Sequence, residues 1–170
     1  KVAHIADLPK PVFISVGHLI ARKNMSFLIE AFNQYAKTCN GSLIILGNGE
    51  QMQELSALAN ERIHLVGAVP NVADYLAFSD YFISASLSEG LPNTVLEAMA
   101  AGLPVLLSDI PAHLEIAEEC RSACAIFSLS EGPSALADKM VNIDSLFPVY
   151  AKEDALHVAR EVFSAQIMSK

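Results

Sequence analysis

The sequence predicts an α/β fold: a Rossmann-like parallel sheet of about six strands with helices on both faces. Short apolar runs alternate along the chain with longer segments whose apolar residues recur at helical spacing. Apolar residues make up 52% of the 170 residues, which is enough for a sizeable core and argues against disorder. Regular alternation of strand and helix favours parallel strands joined by right-handed helical crossovers.

Six β-prone apolar runs are predicted as the strands of this sheet. The first, from Pro11 to Gly17, is almost continuously apolar, as expected of a strand that is buried on both faces. The predicted strands cover residues 11–17, 42–47, 63–66, 80–84, 104–107 and 123–127. Residues 1–10 show no clear period and end beside two prolines, so we expect a linker remnant there and one domain over residues 11–170.

The segments between the strands are predicted as helices. In the first of them, Phe27, Leu28, Ala31 and Phe32 fall on one face at helical spacing. The predicted helices cover residues 25–37, 50–60, 72–78, 94–101, 112–118, a segment that opens at 131–134, and 151–168. The last helix carries an apolar stripe that is predicted to face the core and consists of Leu156, Ala159, Val162, Phe163 and Ile167.

Composition argues against several classes of function. A net charge of −8, from 11 basic and 19 acidic residues, argues against nucleic-acid binding as the main task. No apolar run has the length and freedom from charges that a membrane-spanning helix requires, so no transmembrane segment is predicted. The three cysteines form no CxxC pair, which favours reduced thiols in a cytosolic protein over a metal site.

One stretch, Ser86–Val105, carries most of the predicted chemistry and has the pattern of strand end, loop, helix, turn and next strand. Gly90 and Pro92 would break the strand into a loop, and Asn93 is a suitable N-cap for the helix that follows. The first N–H groups of a helix lack intrahelical partners and carry the positive end of the helix dipole. We therefore predict a phosphate seat at the N–H groups of residues 94–96.

Two glutamates flank the predicted phosphate seat. Glu89 stands just before the loop, and Glu97 lies one turn inside the helix. Ionised carboxylates accept hydrogen bonds but do not donate them, so both side chains suit hydroxyl groups better than a phosphate. The pattern indicates a sugar or ribose on each side of a phosphate. The alternative is structural, with Glu97 as a partner of the helix dipole and Glu89 as part of a simple turn.

A second candidate site is the loop that contains Arg22 and Lys23. It connects the carboxyl end of the first predicted strand to the next helix, and ligands of open α/β sheets bind at such positions. Two cations there suit a diphosphate, because Arg binds oxygens as a fork and Lys as a point charge. The alternative is that both side chains are solvated charges at the start of a helix.

The run from Glu89 to Val105, Glu-Gly-Leu-Pro-Asn … Glu-Ala-Met-Ala-Ala-Gly-Leu-Pro-Val, closely resembles the Glu-x7-Glu signature of family 4 (group 1) glycosyltransferases. These enzymes have the GT-B fold of two Rossmann-like domains, and the signature lies in the C-terminal, nucleotide-sugar-binding domain. The resemblance implies that Glu89 contacts the donor sugar as the catalytic residue and that Glu97 contacts the ribose hydroxyls. It also implies donor-binding residues in the loop and the first helical turn, namely Gly90, Leu91, Pro92, Asn93, Thr94 and Val95.

The resemblance extends to the loop after the first strand. Family members typically read Gly-Arg-Leu, a few residues, then Lys-Gly, and their Arg and Lys bind the donor pyrophosphate. Here Gly17 and Lys23 match, whereas His18 takes the place of the Arg. Either Arg22 supplies the missing charge or His18 donates a hydrogen bond. The resemblance also implies that Val69, in the loop after the third strand, lines the pocket for the base.

The resemblance covers roughly residues 11–145 and implies the donor half of a retaining glycosyltransferase. The co-substrate would be a nucleoside diphosphate sugar, built on UDP or GDP, and the acceptor a growing polysaccharide or a lipid-linked glycan. No Asp-x-Asp motif occurs, so we expect neither a required metal nor another cofactor. The family's N-terminal acceptor domain is not part of this sequence, so we expect the chain alone to bind donor without efficient transfer.

Two other functions remain open from the sequence: half of a sugar-nucleotide epimerase of related fold, or a non-catalytic nucleotide-binding module. An acceptor-binding domain in the full-length protein would favour transfer, and its absence would favour a module. For the full-length protein we expect a cytoplasmic location, at most peripheral to the inner face of the membrane. In the GT-B fold a C-terminal helix can cross back to the other domain, so part of the last helix's stripe is expected to face that partner.

Overall fold

The computed structural model describes residues 5–168, with side chains described up to Val162. These residues form a six-stranded sheet in which all neighbouring strands are parallel. The strands are β1 (Val12–Val16), β2 (Ser42–Leu46), β3 (Ile63–Gly67), β4 (Tyr81–Ser84), β5 (Val105–Ser108) and β6 (Cys124–Phe127). Their order across the sheet is β3-β2-β1-β4-β5-β6. The predicted parallel, Rossmann-like sheet is therefore confirmed.

Helices lie between the strands and after β6, and their ends lie close to the predicted ones. They are α1 (Met25–Tyr35), α2 (Met52–Leu58), α3 (Val72–Phe78), α4 (Asn93–Ala100), α5 (Pro111–Glu119), α6 (Pro133–Val141), α7 (Ile143–Leu146) and α8 (Ala151–Met168). A short 3-10 helix, Ala21–Lys23, precedes α1. Of the stripe predicted in the last helix, the side chains of Phe163 and Ile167 lie outside the described residues.

The sheet is covered on both faces, as predicted. Successive residues of a strand point to opposite faces, so Val12 and Ile14 of β1 belong to one core cluster and Phe13 belongs to the other. The first cluster contains residues of α3, α4, α5 and α8. The second contains residues of α1, α2, α6 and α7. Because both faces are buried, the strands read as nearly continuous apolar runs.

The point where the sheet changes its direction of growth lies between β1 and β4, which are neighbours in space. After β1 the chain enters α1 on one face, and after β4 it enters α4 on the other face. The two loops therefore begin at adjacent strand ends. Ligands of open α/β sheets bind at such a switch point, and both predicted candidate loops begin there.

Ordered structure begins before Pro11, which differs from the prediction of a linker over residues 1–10. Ile5 is buried in the first core cluster, and Leu8 packs against the same cluster. The hydroxyl of Ser42 donates to the carbonyl of Pro9 at 2.9 Å. Apolar side chains at irregular spacing thus anchor residues 5–10 to the domain, while residues 1–4 lie outside the described part.

Candidate functional site

The loops that follow β1 and β4 are tied to each other by hydrogen bonds. Asn24, between the 3-10 helix and α1, has the left-handed φ of 57° that Asn tolerates better than most residues. Its Nδ2 donates to the carbonyl of Ala85 at 3.0 Å. The N–H of Leu87 donates to the carbonyl of Arg22 at 2.9 Å. These bonds hold the cation-bearing loop against the loop that carries the first glutamate.

The contact between the loops places two cations on one carboxylate. Lys23 Nζ donates to Glu89 Oε2 at 2.7 Å, and Arg22 Nη1 lies 3.4 Å from Glu89 Oε1. Arg22 Nη1 also donates to the carbonyl of Ser88 at 3.2 Å. The side chains of Glu89 and Lys23 are 9% and 13% exposed, whereas that of Arg22 is 45% exposed. The Lys23–Glu89 pair is therefore the buried centre of the site, with Arg22 at its outer edge.

The surroundings of Glu89 favour its ionised form. Burial alone would raise the pKa of Glu89, but hydrogen bonds from Lys23 and Ser86, together with the charges of Lys23 and Arg22, lower it below its ordinary value. The bond from Ser86 Oγ to Glu89 Oε2 is 2.7 Å long. At neutral pH Oε2 accepts the bonds from Lys23 and Ser86, and Oε1, which accepts from Arg22 at 3.4 Å, keeps one lone pair free for a ligand.

The amino end of α4 offers a narrower phosphate seat than predicted. The N-cap is Pro92, with φ −79°, and Asn93 is already helical, so the predicted Asn93 cap is wrong. The reason is that the proline ring sets a φ suited to helix entry, and the Pro92 carbonyl accepts the N–H groups of Val95 and Leu96 at 3.1 and 3.2 Å. Of the three N–H groups predicted to be free, only that of Thr94 makes no hydrogen bond within the described residues.

Glu97 is presented to solvent on α4. Its side chain is exposed and makes no hydrogen bond or ion pair with another residue between 5 and 162. Because the helix begins at Asn93, Glu97 lies beyond the first turn, where the dipole effect has faded. The position therefore favours the alternative in which the carboxylate is free for a ligand over a role as dipole partner.

The other predicted donor-binding residues surround the cluster less closely. A Cβ on Gly17 would lie 3.3 Å from Cδ of Lys23, so the lysine stem passes across this glycine. His18 is exposed and its side chain makes no hydrogen bond in the described part of the chain. Val69 is half-buried and packs against the first core cluster, while Gly90 and Leu91 are exposed. The structure thus brings Arg22, not His18, into contact with Glu89.

A buried polar network beneath Glu89 was not predicted. The hydroxyl of Ser108, at the end of β5, donates to the carbonyl of Ser86 at 2.7 Å. His113 Nδ1, on α5, lies 3.0 Å from the carbonyl of Ser108. Ser108 could have been suspected, because it ends a strand at the same edge of the sheet. His113 carries no such signal, since a lone histidine in a helix is ordinarily a core or surface residue.

A groove of about 610 Å³ adjoins the loop after Glu89, between α4, α5 and α8. Apolar side chains form most of its wall, and three glutamates add negative charge. The lining residues are Gly90, Leu91, Pro92, Leu96, Ala112, Glu115, Ile116, Glu119, Val158, Glu161 and Val162. The groove extends the candidate site toward the last helix. Among the helices of residues 5–168, none is both long and apolar enough to span a membrane.

Comparison with known families agrees with this geometry. The sequence model of the family described as glycosyl transferases group 1 matches residues 10–144. The chain belongs to this family. The matched region includes both loops of the site and helix α4. Membership favours glycosyl transfer over the two alternatives, half of an epimerase or a non-catalytic module.

Several curated glycosyltransferases are similar in sequence. An uncharacterised glycosyltransferase of Methanocaldococcus jannaschii is 41% identical over 104 residues, which cover 58% of this chain and 26% of that protein. The O-antigen biosynthesis glycosyltransferase WclY of Escherichia coli is 28% identical over 152 residues, which cover 86% of this chain and 39% of that protein. This chain therefore spans between about a quarter and two fifths of the length of these relatives.

Solved glycosyltransferase structures share the fold. The Anabaena Alr3699/HepE complex with UDP and glucose superposes with a TM-score of 0.80 at 18% identity, over 98% of this chain and 49% of that one. WaaG, a glycosyltransferase involved in lipopolysaccharide biosynthesis, superposes with a TM-score of 0.75 at 21% identity, over 88% of this chain and 42% of that one. The recognition of this chain as a C-terminal-type domain of a GT-B glycosyltransferase is thereby confirmed.

Proposed function

We propose that this chain is the donor-binding half of a retaining glycosyltransferase and binds a nucleoside diphosphate sugar. The observation that carries the proposal is the Lys23–Glu89 pair at the switch point, with the exposed carboxylate of Glu97 on the adjoining helix. Cations, a carboxylate and an open helix terminus meet there, which matches the alternation of sugar, diphosphate and ribose in such a donor. The UDP complexes of the similar Anabaena protein support the choice of ligand class.

In this proposal the diphosphate is bound by Lys23, Arg22 and the N–H of Thr94. Lys23 uses one of its three N–H donors on Glu89, so two remain for phosphate oxygens. Arg22, with 45% of its side chain exposed, can turn its fork of donors toward the same oxygens. These fixed charges and dipoles would stabilise the negative charge that builds on the departing diphosphate.

The two glutamates act on the two ends of the donor. Glu97 accepts hydrogen bonds from the ribose hydroxyls, and Glu89 accepts them from the transferred sugar. Since contacts that strengthen in the transition state raise the rate, Glu89 is the residue expected to act on turnover. We name no enzyme nucleophile, because a retaining transfer can proceed by attack on the face of the departing diphosphate.

The proposal includes three further expectations. Transfer needs no divalent metal and no other cofactor, because fixed cations take the role at the diphosphate. The acceptor is a growing polysaccharide or a lipid-linked glycan, in keeping with the O-antigen and capsule biosynthesis named for relatives in Escherichia coli and Staphylococcus aureus. The full-length protein acts in the cytoplasm, at most peripheral to the inner face of the membrane.

Titration of Glu89→Gln and Glu97→Gln tests the assignment of the two ends. Calorimetry with UDP, GDP, UDP-glucose and GDP-mannose, each with and without EDTA, first selects the nucleotide that the native chain binds. Glu97→Gln should then weaken the free nucleotide and the nucleotide sugar alike, by about 1–2 kcal/mol. Glu89→Gln should weaken the nucleotide sugar alone, and free nucleotide should bind unchanged or slightly tighter because Lys23 loses its partner. Equal behaviour of the two variants, or strict metal dependence, would contradict the proposal.

Arg22→Ala tests which residue replaces the usual arginine. The geometry favours Arg22, so its loss should weaken nucleoside diphosphate binding by about 1–2 kcal/mol, as for a partly screened charged hydrogen bond. His18→Ala is the matched control and should change the affinity little, because His18 makes no contact with the cluster in the described structure. The reverse pattern would assign the diphosphate contact to His18.

A further inference from the structure

A chain of buried polar groups runs from α5 to the carboxylate of Glu89. His113 Nδ1 lies 3.0 Å from the carbonyl oxygen of Ser108, and Ser108 Oγ donates to the carbonyl of Ser86 at 2.7 Å. Ser86 Oγ in turn donates to Glu89 Oε2 at 2.7 Å. The side chains of His113, Ser108 and Ser86 are almost fully buried. The network therefore connects the ends of β4 and β5 and the start of α5 to the residue proposed to hold the donor sugar.

The acceptors in this network determine where the imidazole proton lies. A carbonyl oxygen can only accept, so the proton of His113 must be on Nδ1. Ser108 Oγ, which gives its own proton to Ser86, can accept from the same Nδ1–H at 3.2 Å. Burial lowers the pKa of His113, although the bond to Ser108 and the charge of Glu89 oppose this. The ring is therefore neutral and orients its neighbours without adding a charge beside Glu89.

The second ring nitrogen of His113, Nε2, makes this histidine costly in stability. His113 Nε2 is buried and has no hydrogen-bond partner among the described residues. An unpaired buried acceptor is destabilising, and an apolar side chain of similar volume would avoid the penalty. Packing of α5 alone therefore does not account for an imidazole at this position, whereas the donor at Nδ1 does.

We infer that His113 is a positioning residue, which acts through Ser108 and Ser86 to fix the carboxylate of Glu89 for the donor sugar. Ser86 is held at two of its polar groups. Its carbonyl accepts from Ser108 Oγ, and its hydroxyl donates to Glu89 and accepts from Ser84 Oγ at 3.2 Å. Release of the carbonyl would let the start of the Glu89 loop move and loosen the bond to Oε2. The inference rests on the proposed function for the role of Glu89, and its test includes a readout that does not depend on that function.

The first test compares Ser108→Ala with Ser79→Ala. Ser79 is a matched control, because its buried hydroxyl also donates to a backbone carbonyl, that of Tyr75, at 2.8 Å, outside the network. Two quantities are measured. The first is the ratio of nucleotide-sugar to free-nucleotide affinity by calorimetry, with UDP-glucose and UDP or with GDP-mannose and GDP, whichever pair the native chain binds. The second is the pKa of the Glu89 carboxyl by ¹³C NMR. Ser108→Ala should lower the ratio by about twofold to tenfold, the effect of one neutral hydrogen bond, and raise the pKa toward its ordinary value. Ser79→Ala should change neither.

The second test uses two amides at position 113. His113→Asn places an N–H donor near the position of Nδ1, whereas His113→Gln places it farther out, near Nε2. Both variants lose the aromatic packing, and melting temperatures measure that shared loss. Only His113→Asn should keep the native affinity ratio and the native pKa of Glu89.

Each outcome supports or overturns the inference. If Ser108→Ala matches Ser79→Ala in both quantities, or if the Asn and Gln variants behave alike, the network has no positioning role. If the native chain binds the selected nucleotide and its nucleotide sugar equally, the proposed sugar contact of Glu89 fails, yet the pKa of Glu89 in the variants still decides whether His113 positions it. An unchanged pKa in Ser108→Ala would overturn the inference whatever the binding data show.

Discussion

Lys23 and Glu89 form the most consequential residue pair of the described structure. Removing two opposite charges from water is costly, and hydrophobic replacements of such pairs are often no less stable. The pair is 2.7 Å apart, little exposed, and supported by Ser86 and Arg22. Packing alone therefore does not explain why both charges are present. Binding of charged phosphates and polar hydroxyls at this site does explain them.

The pH dependence of stability should report the Glu89 interactions. Because the folded-state pKa of Glu89 is lowered from its reference of 4.5, its contribution is present above about pH 4.5 and is lost as the pH falls through the folded-state pKa. The free energy of unfolding, measured by urea titration from pH 7 to pH 3, should therefore fall more steeply in the native chain than in Glu89→Gln. We expect the gap between them to shrink on acidification, because protonation removes the charged form that Lys23 and Ser86 stabilise.

Glu97→Gln is the control for this pH experiment. The side chain of Glu97 is exposed and unpaired within the described structure. The free energy of unfolding should therefore fall with acidification almost equally in the native chain and in Glu97→Gln. If the free energy of unfolding fell less steeply on acidification in both variants, and to the same extent, the cause would be a general effect of charge. If the free energy of unfolding of the native chain fell no more steeply on acidification than that of Glu89→Gln, the lowered pKa of Glu89 would be contradicted.

That these site residues surround a ligand stays a prediction, and their contact with each other was not predicted. Arg22 and Lys23 were identified from their place after a strand, and Glu89 from its place before a helix. Their contact crosses 66 residues of chain and depends on Asn24 in the left-handed region and on the bond from its amide to Ala85. Local sequence rules state which loops meet at a sheet edge, but not how each loop turns.

At the scale of elements, the loops after β1 and β2 pack backbone against backbone. A Cβ on Gly47 would lie 1.9 Å from the carbonyl oxygen of Gly17, and one on Gly49 would lie 2.5 Å from that of Leu19. Gly47 also has a φ of 136°, which side chains rarely adopt. The N–H of Leu19 donates to the carbonyl of Asn48 at 2.9 Å. The loop after β2 thus supports the loop after β1. The stem of Lys23 lies across Gly17 in that loop.

Gly47→Ala should disturb both stability and binding. The added Cβ must displace the Gly17 backbone or distort its own, so we expect a loss of at least about 2 kcal/mol in the free energy of unfolding. The Gly17 loop should shift with it, and affinity for UDP should fall in the fraction that remains folded. Urea titration and calorimetry at a temperature well below the transition measure the two effects.

Gly90→Ala is the control for stability in this comparison. Nothing lies within 4 Å of a Cβ on Gly90, and its φ is outside the left-handed region, so its free energy of unfolding should change by less than about 0.5 kcal/mol. Comparable destabilisation by the two substitutions would mean that the close approach of the two loops is not what Gly47 provides.

The sheet itself was predictable because its physical signal is local. A strand buried on both faces reads as an apolar run, and all six runs became strands in the predicted class of sheet. Helix ends were less predictable. At α4 the Pro92 carbonyl and its fixed φ determine the entry, against the side-chain preference of Asn93. The helix predicted to open at 131–134 ends at Val141, and the short helix α7 follows separately, because Asn142 departs from helical geometry.

At the scale of the whole molecule, the rim of the candidate site is partly apolar. The loop around Glu89 carries two exposed apolar side chains, Leu87 and Leu91, which are 52% and 48% exposed. Leu91 also borders the groove between α4, α5 and α8. Apolar surface at the edge of a polar site suggests a covering surface, and the chain spans only part of the length of its relatives.

Transfer by this chain alone should therefore be much weaker than its binding of donor. Glycosyl transfer needs the reacting centre closed off from water and the acceptor oriented against it, and among residues 5–162 we identify contacts for the donor alone. We expect the 170-residue chain to bind UDP-glucose in calorimetry yet to release UDP from it no faster than protein-free buffer, with or without a panel of oligosaccharide acceptors.

Chromatographic measurement of UDP over hours tests this expectation. Glu89→Gln serves as the reference, because any release that depends on the site should disappear in it. Acceptor-dependent release by the native chain that Glu89→Gln abolishes would show that the chain is a complete catalyst, and the exposed apolar edge around Leu87 and Leu91 would then need another explanation. Release that persists in Glu89→Gln would be hydrolysis unrelated to the site. Binding without release would confirm the expectation that the chain binds donor without transferring the sugar by itself.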